Sequence, residues 1–109
     1  MVDSKYLISV IALPNITTQP ESVLLKTGSS QTNALFCLAV GMGPIFYQWE
    51  KYQSLDDTWI KPSHNAEDIT SHYLVFNRIT EEEEGIYHCI VTNSDGTVMS
   101  DNATITVYG

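Results

Sequence analysis

Two cysteines, three histidines, a run of four glutamates and two Asn-x-Thr tripeptides are the residues of this 109-residue sequence that could do chemistry. Cys37 and Cys89 lie far apart, unlike the close doublets of a zinc finger. They are therefore a disulfide or two buried thiols. A disulfide closing so long a loop stabilises a fold by about 4 kcal/mol in the chain-entropy model, and it implies an oxidising compartment. His64, His72 and His88 match no metal-ligand spacing and read as surface histidines. The carboxylates of residues 81–84 read as a solvated turn rather than a calcium site, and Asp56 with Asp57 reads the same way. Serine, histidine and aspartate are present, yet no nucleophile elbow or glycine-rich phosphate loop surrounds them. The sequence thus predicts no catalytic residue, no bound metal and no cofactor. Asn15-Ile16-Thr17 and Asn102-Ala103-Thr104 are acceptor tripeptides for N-glycans in a secretory protein.

Charge narrows the partners. Five Lys/Arg face thirteen Asp/Glu, for a formal net charge of −8. That balance repels phosphate backbones, which need a basic stripe, and anionic membrane surfaces. No apolar run reaches the length of a membrane span. Residues 6–13 are apolar but make a poor signal peptide.

The elements that must position these residues are short strands separated by turn signals, the pattern of an all-β sandwich or barrel. Prolines place residues 14–20 on an edge. Further strands are expected over 22–26, 31–40, 45–51, 58–61, 71–79, 85–92 and 97–108. Residues 64–70 are expected to be loop, and 80–84 a charged corner. Asp95-Gly96 between β-rich runs is a hairpin signal. No 3.6-residue periodicity is sustained enough for a major helix. Residues 1–13 read as an added start, a linker or an edge strand, and 14–109 as one domain, excised from a longer chain.

Three features coincide: Cys37 in mid-strand, Trp49 in mid-strand in the next element, and Tyr87 two residues before Cys89. Parity puts Tyr87 and Cys89 on one strand face, Ile45, Tyr47 and Trp49 on another, and Leu35, Cys37 and Ala39 on a third. The run Glu83-Glu84-Gly85-Ile86-Tyr87-His88-Cys89 resembles the Asp-x-Gly-x-Tyr-x-Cys signature of immunoglobulin-superfamily domains, with Glu83 in place of the usual Asp. Tyr47-Gln48-Trp49 resembles that family's strand with its core Trp, and residues 103–107 resemble its last strand. The short interval from Trp49 to Tyr73 resembles the intermediate set, as in cell-adhesion molecules and receptor ectodomains.

The resemblance implies an immunoglobulin-like β-sandwich of two antiparallel sheets with Greek-key connections. It also implies a Cys37–Cys89 disulfide covered by Trp49, and a Tyr87 corner. For function it implies a non-catalytic recognition or adhesion module of a cell-surface or secreted protein. Its partner would be another protein, homophilic or heterophilic, with further such domains in tandem. The alternatives are a structural spacer or scaffold module inside a muscle or signalling protein, and an accessory ectodomain of a receptor kinase. Parity turns Phe36, Leu38, Tyr73 and Val75 outward on one sheet as an apolar patch. On the other it turns Phe46, His88 and Ile90 outward, with Trp59 nearby. Both groups are candidate interfaces.

Overall fold

The computed structural model describes residues 11–109, with the side chains of 31–33 outside the description. Eleven strands are described: β1 (Asn15–Thr18), β2 (Val23–Lys26), β3 (Gln31–Phe36), β4 (Leu38–Val40), β5 (Phe46–Gln53), β6 (Thr58–Ile60), β7 (Ala66–Asp68), β8 (Tyr73–Phe76), β9 (Gly85–Asn93), β10 (Gly96–Met99) and β11 (Ala103–Tyr108). A one-turn 3-10 helix, Glu81–Glu83, precedes β9. Most of the linker or edge strand expected over 1–13 lies outside the described residues; Ile11, Ala12 and Leu13 have no regular secondary structure.

The strands form two layers. One runs β2-β11-β9-β5-β6, with β10 also on β9. Within it β2 lies parallel to β11 while the other pairs are antiparallel. The facing layer is made of β3-β8-β7 and the pair β1-β4. Between them lies a continuous core that includes Leu35, Cys37, Trp49, Leu74, Phe76, Ile79, Tyr87, Cys89, Val91 and Ile105. In β9 the alternation holds along the core side, with Tyr87, Cys89, Val91 and Asn93 all buried.

Three expected elements differ. The strand over 31–40 is divided at Cys37, because its two halves take different partners: β3 pairs β8, and β4 pairs β1. Cys37 N–H still donates across the layer to His72 O at 2.9 Å. The last strand is divided at residues 100–102, where Ser100 N–H reaches Cys89 O at 2.8 Å and Ser100 Oγ accepts from Cys89 N–H at 2.8 Å. One side chain thus satisfies a β9 amide left unpaired by the interruption. Residues 64–70, expected as loop, contain β7, whose three residues carry too little pattern to reveal a strand.

Candidate recognition faces and the buried corner beneath them

Cys37, Cys89 and Trp49 are all fully buried. Trp49 lies opposite Cys89 in the β5–β9 register, and its indole N–H donates to Ser71 O at 2.9 Å. A buried indole needs such an acceptor. The two sulfurs are in hydrogen-bonding contact across the layers; that contact, together with burial, pushes the Cys89 thiol well above the usual thiol range. All three side chains thus lie in the core between the layers.

The charged corner departs from its expectation. Glu83 is fully buried instead of solvated. Its carboxylate accepts from Ser63 Oγ at 2.5 Å, Asn65 Nδ2 at 3.1 Å, Thr80 N–H at 2.6 Å and Thr80 Oγ1 at 2.8 Å. Thr80 and Glu83 form a capping box around the 3-10 turn. Burial alone would raise the Glu83 pKa. The donors from Ser63, Thr80 and Asn65 outweigh it and hold the carboxyl below the usual carboxylate range. The Tyr87 hydroxyl donates to Glu83 O at 2.6 Å, completing the tyrosine corner. Burial, aided by the Glu83 charge, holds that phenol protonated well above its ordinary range.

Gly85 follows at φ 153°, a conformation that only glycine adopts readily. The Lys51 side chain crosses directly over it: a Cβ there would stand 2.7 Å from Lys51 Cε. Lys51 Nζ then donates to Glu82 O and lies 5.8 Å from the Tyr87 ring centroid.

On the outer face of β5, β9 and β10, Phe46 is 63% exposed and Met99 is 62% exposed. Met99 lies directly opposite Ile90 across the ladder, and Phe46 lies opposite Thr92, diagonal to Ile90. His88 shares this face, but it is buried, not exposed as parity alone suggested. Trp59 stacks on its ring with centroids 3.6 Å apart, Glu50 Oε1 lies 2.8 Å from its Nε2, and Tyr52 packs edge-on to Trp59. Strand parity gives a side chain's direction and not what a neighbouring strand lays over it; the missing signal was the β5–β6 hairpin that carries Trp59. That hairpin is pinned by Tyr52 Oη to Asp57 Oδ1 at 2.5 Å and Thr58 Oγ1 to Asp56 Oδ1 at 2.7 Å.

On the other layer, Phe36 pairs with Tyr73 in register, and their rings meet at 5.2 Å. Phe36, Tyr73 and Val75 are half-buried. Leu38, expected beside them, instead stands in β4 next to β1, 38% exposed. The three histidines have separate surroundings: His64 near Glu82, His72 among Phe36, Tyr47 and Tyr73, and His88 under Trp59. Among the described residues no group of three His, Cys, Asp or Glu side chains is arranged to hold a metal ion.

A protein-family model described as an immunoglobulin domain matches residues 14–93. The chain belongs to the immunoglobulin domain family. Neogenin of Rattus norvegicus is 32% identical over 103 residues, covering 92% of this chain and 7% of neogenin. The vascular endothelial growth factor receptor kdr-like protein of Danio rerio is 32% identical over 97 residues, covering 89% of this chain and 7% of the receptor. This immunoglobulin domain therefore spans under a tenth of those curated relatives. Among solved structures, the N-terminal Ig1-2 module of the Drosophila receptor protein tyrosine phosphatase Dlar superposes with a TM-score of 0.72 at 25% identity. The match covers 88% of this chain and 46% of that one.

One polar centre of this immunoglobulin domain escaped the sequence reading. Asn93 is 5% exposed. Its Nδ2 donates to Ala12 O at 2.9 Å and Met42 O at 3.4 Å, while its Oδ1 accepts from Asp95 N–H at 2.9 Å and Gly96 N–H at 3.2 Å. A single amide thus joins the β9–β10 turn, the β4–β5 loop and the incoming chain. Its only sequence signal was its place in an Asn-Ser-Asp-Gly turn, which marks a turn and nothing tertiary.

Proposed function

We propose that this domain is a non-catalytic recognition module of a cell-surface or secreted multidomain protein. Its contact face would be the outer surface of β5, β9 and β10. The observation that carries the reading is the exposure of Phe46 and Met99 on either side of Ile90, on a stiff three-strand ladder. Large apolar side chains seated in a partner's pocket are the anchors that supply most of the energy of an interface. Trp59 and Tyr52, held on His88 and Asp57, extend the surface toward the β5–β6 hairpin. The net charge of −8 favours a basic partner over a second copy of this chain. The receptor names of similar proteins fit an ectodomain setting. The Cys37–Cys89 disulfide belongs to the same reading, supported by the contact of the two buried sulfurs.

Multivalent display of the domain against receptor-bearing cells tests it. Phe46→Asp and Met99→Asp should each weaken binding about fivefold to thirtyfold, as expected when an anchor worth about 1–2 kcal/mol is lost. Phe36→Ser should leave binding intact. Binding that ignores the first two substitutions, or is absent with the intact domain, overturns the proposal.

A further inference from the structure

Asn15 and Val40 are a cross-strand pair at the head of the β1–β4 ladder, and both side chains are exposed. Ile16 between Asn15 and Thr17 turns inward and packs on the core, while Asn15 stands exposed on the outward face. The β1–β4 register shifts between Ile16 and Thr18, where Thr17, also exposed, donates its hydroxyl to Leu38 O at 3.3 Å. Leu38 and Val40, the exposed members of β4, lie on that face at 38% and 52% exposure, with Ala39 buried between them. An extended Asn-x-Thr with both outer side chains exposed and its middle residue anchored is presented well for modification. Beside it lie the two partly exposed aliphatic side chains of Leu38 and Val40.

We propose that Asn15 carries an N-linked oligosaccharide, and that its first sugars cover Leu38 and Val40. This rests on the secretory reading given above. In the transfer, Asn15 Nδ2 forms a bond to the anomeric carbon of a lipid-diphosphate-linked oligosaccharide. The anomeric C–O bond breaks, the lipid diphosphate leaves, and the amide gives up one proton. The sugar's less polar ring face then replaces water over the two aliphatic side chains. The glycan withdraws this end of the β1–β4 layer from protein contact and leaves the Phe46–Ile90–Met99 face open.

The test is to express this full chain behind a secretion signal in animal cells. Glycosidase release in heavy-oxygen water then marks each occupied asparagine by mass, and the Cys37 and Cys89 peptides are mapped without reduction. Occupied Asn15 is the expected result, lost in Asn15→Gln and in Thr17→Ala. Asn15→Gln should also raise the fluorescence of an apolar-surface dye several-fold, and Asn102→Gln should not. An unmodified Asn15 in a chain whose cysteines are joined overturns this proposal alone. An unmodified Asn15 with free thiols overturns the secretory reading as well. An occupied Asn15 whose loss leaves dye binding unchanged overturns the covering role.

Discussion

Glu83 shows how one substitution reorganises a corner. The related signature has a shorter aspartate there; the extra methylene carries this carboxylate far enough to collect Ser63, Asn65 and both Thr80 donors while fully buried. A buried charge is tolerated when its lone pairs are filled. Glu83→Gln keeps the volume but turns an NH2 toward groups that were donating, so stability at neutral pH should fall by about 1–3 kcal/mol. The pH dependence has a definite sign. Because the folded carboxyl sits below its ordinary value, its contribution is complete above about pH 4.3, the unfolded value. It is lost as pH falls through the folded value. Urea denaturation at a series of pH values should show a shallower acid decline in Glu83→Gln than in the parent. Parallel declines would mean that the carboxylate is not the group responsible. The sequence offered only the glutamate run here; which member turns inward depends on Ser63 and Asn65, supplied from a separate loop.

The long strands were legible because period-two alternation and turn residues are local signals. Trp49, Tyr87, Cys37 and Cys89 fell where parity placed them. Interruptions were not legible. The break at Cys37 reflects a change of partner between β1 and β8, and the break at 100–102 reflects Ser100 capping a β9 amide. Both depend on residues distant in sequence. Asn93 has the same character, since it ties Ala12, Met42 and Gly96 together. Asn93→Ala should remove about 1–3 kcal/mol, the cost of leaving buried backbone groups unpaired. The loss should be regional. Amide hydrogen exchange should accelerate at Asp95 and Gly96 while Cys89 and Tyr87 in mid-strand keep most of their protection. Uniform acceleration through β9 would instead show that this turn and the core open as one unit.

At the scale of the whole molecule, the question is what keeps two layers together in a chain of 109 residues with a net charge of −8. Ladder hydrogen bonds act within each layer. Between layers the described contacts include packing of the core side chains, Tyr47 Oη accepting from Ala39 N–H at 3.1 Å, Trp49 N–H donating to Ile69 O at 2.8 Å, the Trp49 indole reaching Ser71, and the two sulfurs. Only the sulfurs can become covalent, and they join β9 to the junction of β3 and β4, so their bond would close a loop of about half the chain. Oxidation restricts the unfolded chain more than the folded one. The oxidised domain should therefore exceed the reduced one by about 4 kcal/mol, read as a higher denaturant midpoint with a smaller slope, because the cross-linked unfolded chain exposes less surface. The reduced domain should still unfold cooperatively, since Trp49, Phe76, Tyr87 and Ile105 are fully buried in one continuous core. Equal midpoints under oxidising and reducing conditions, with the mass of the oxidised sample lower by two hydrogens, would show that the core alone holds the layers in register.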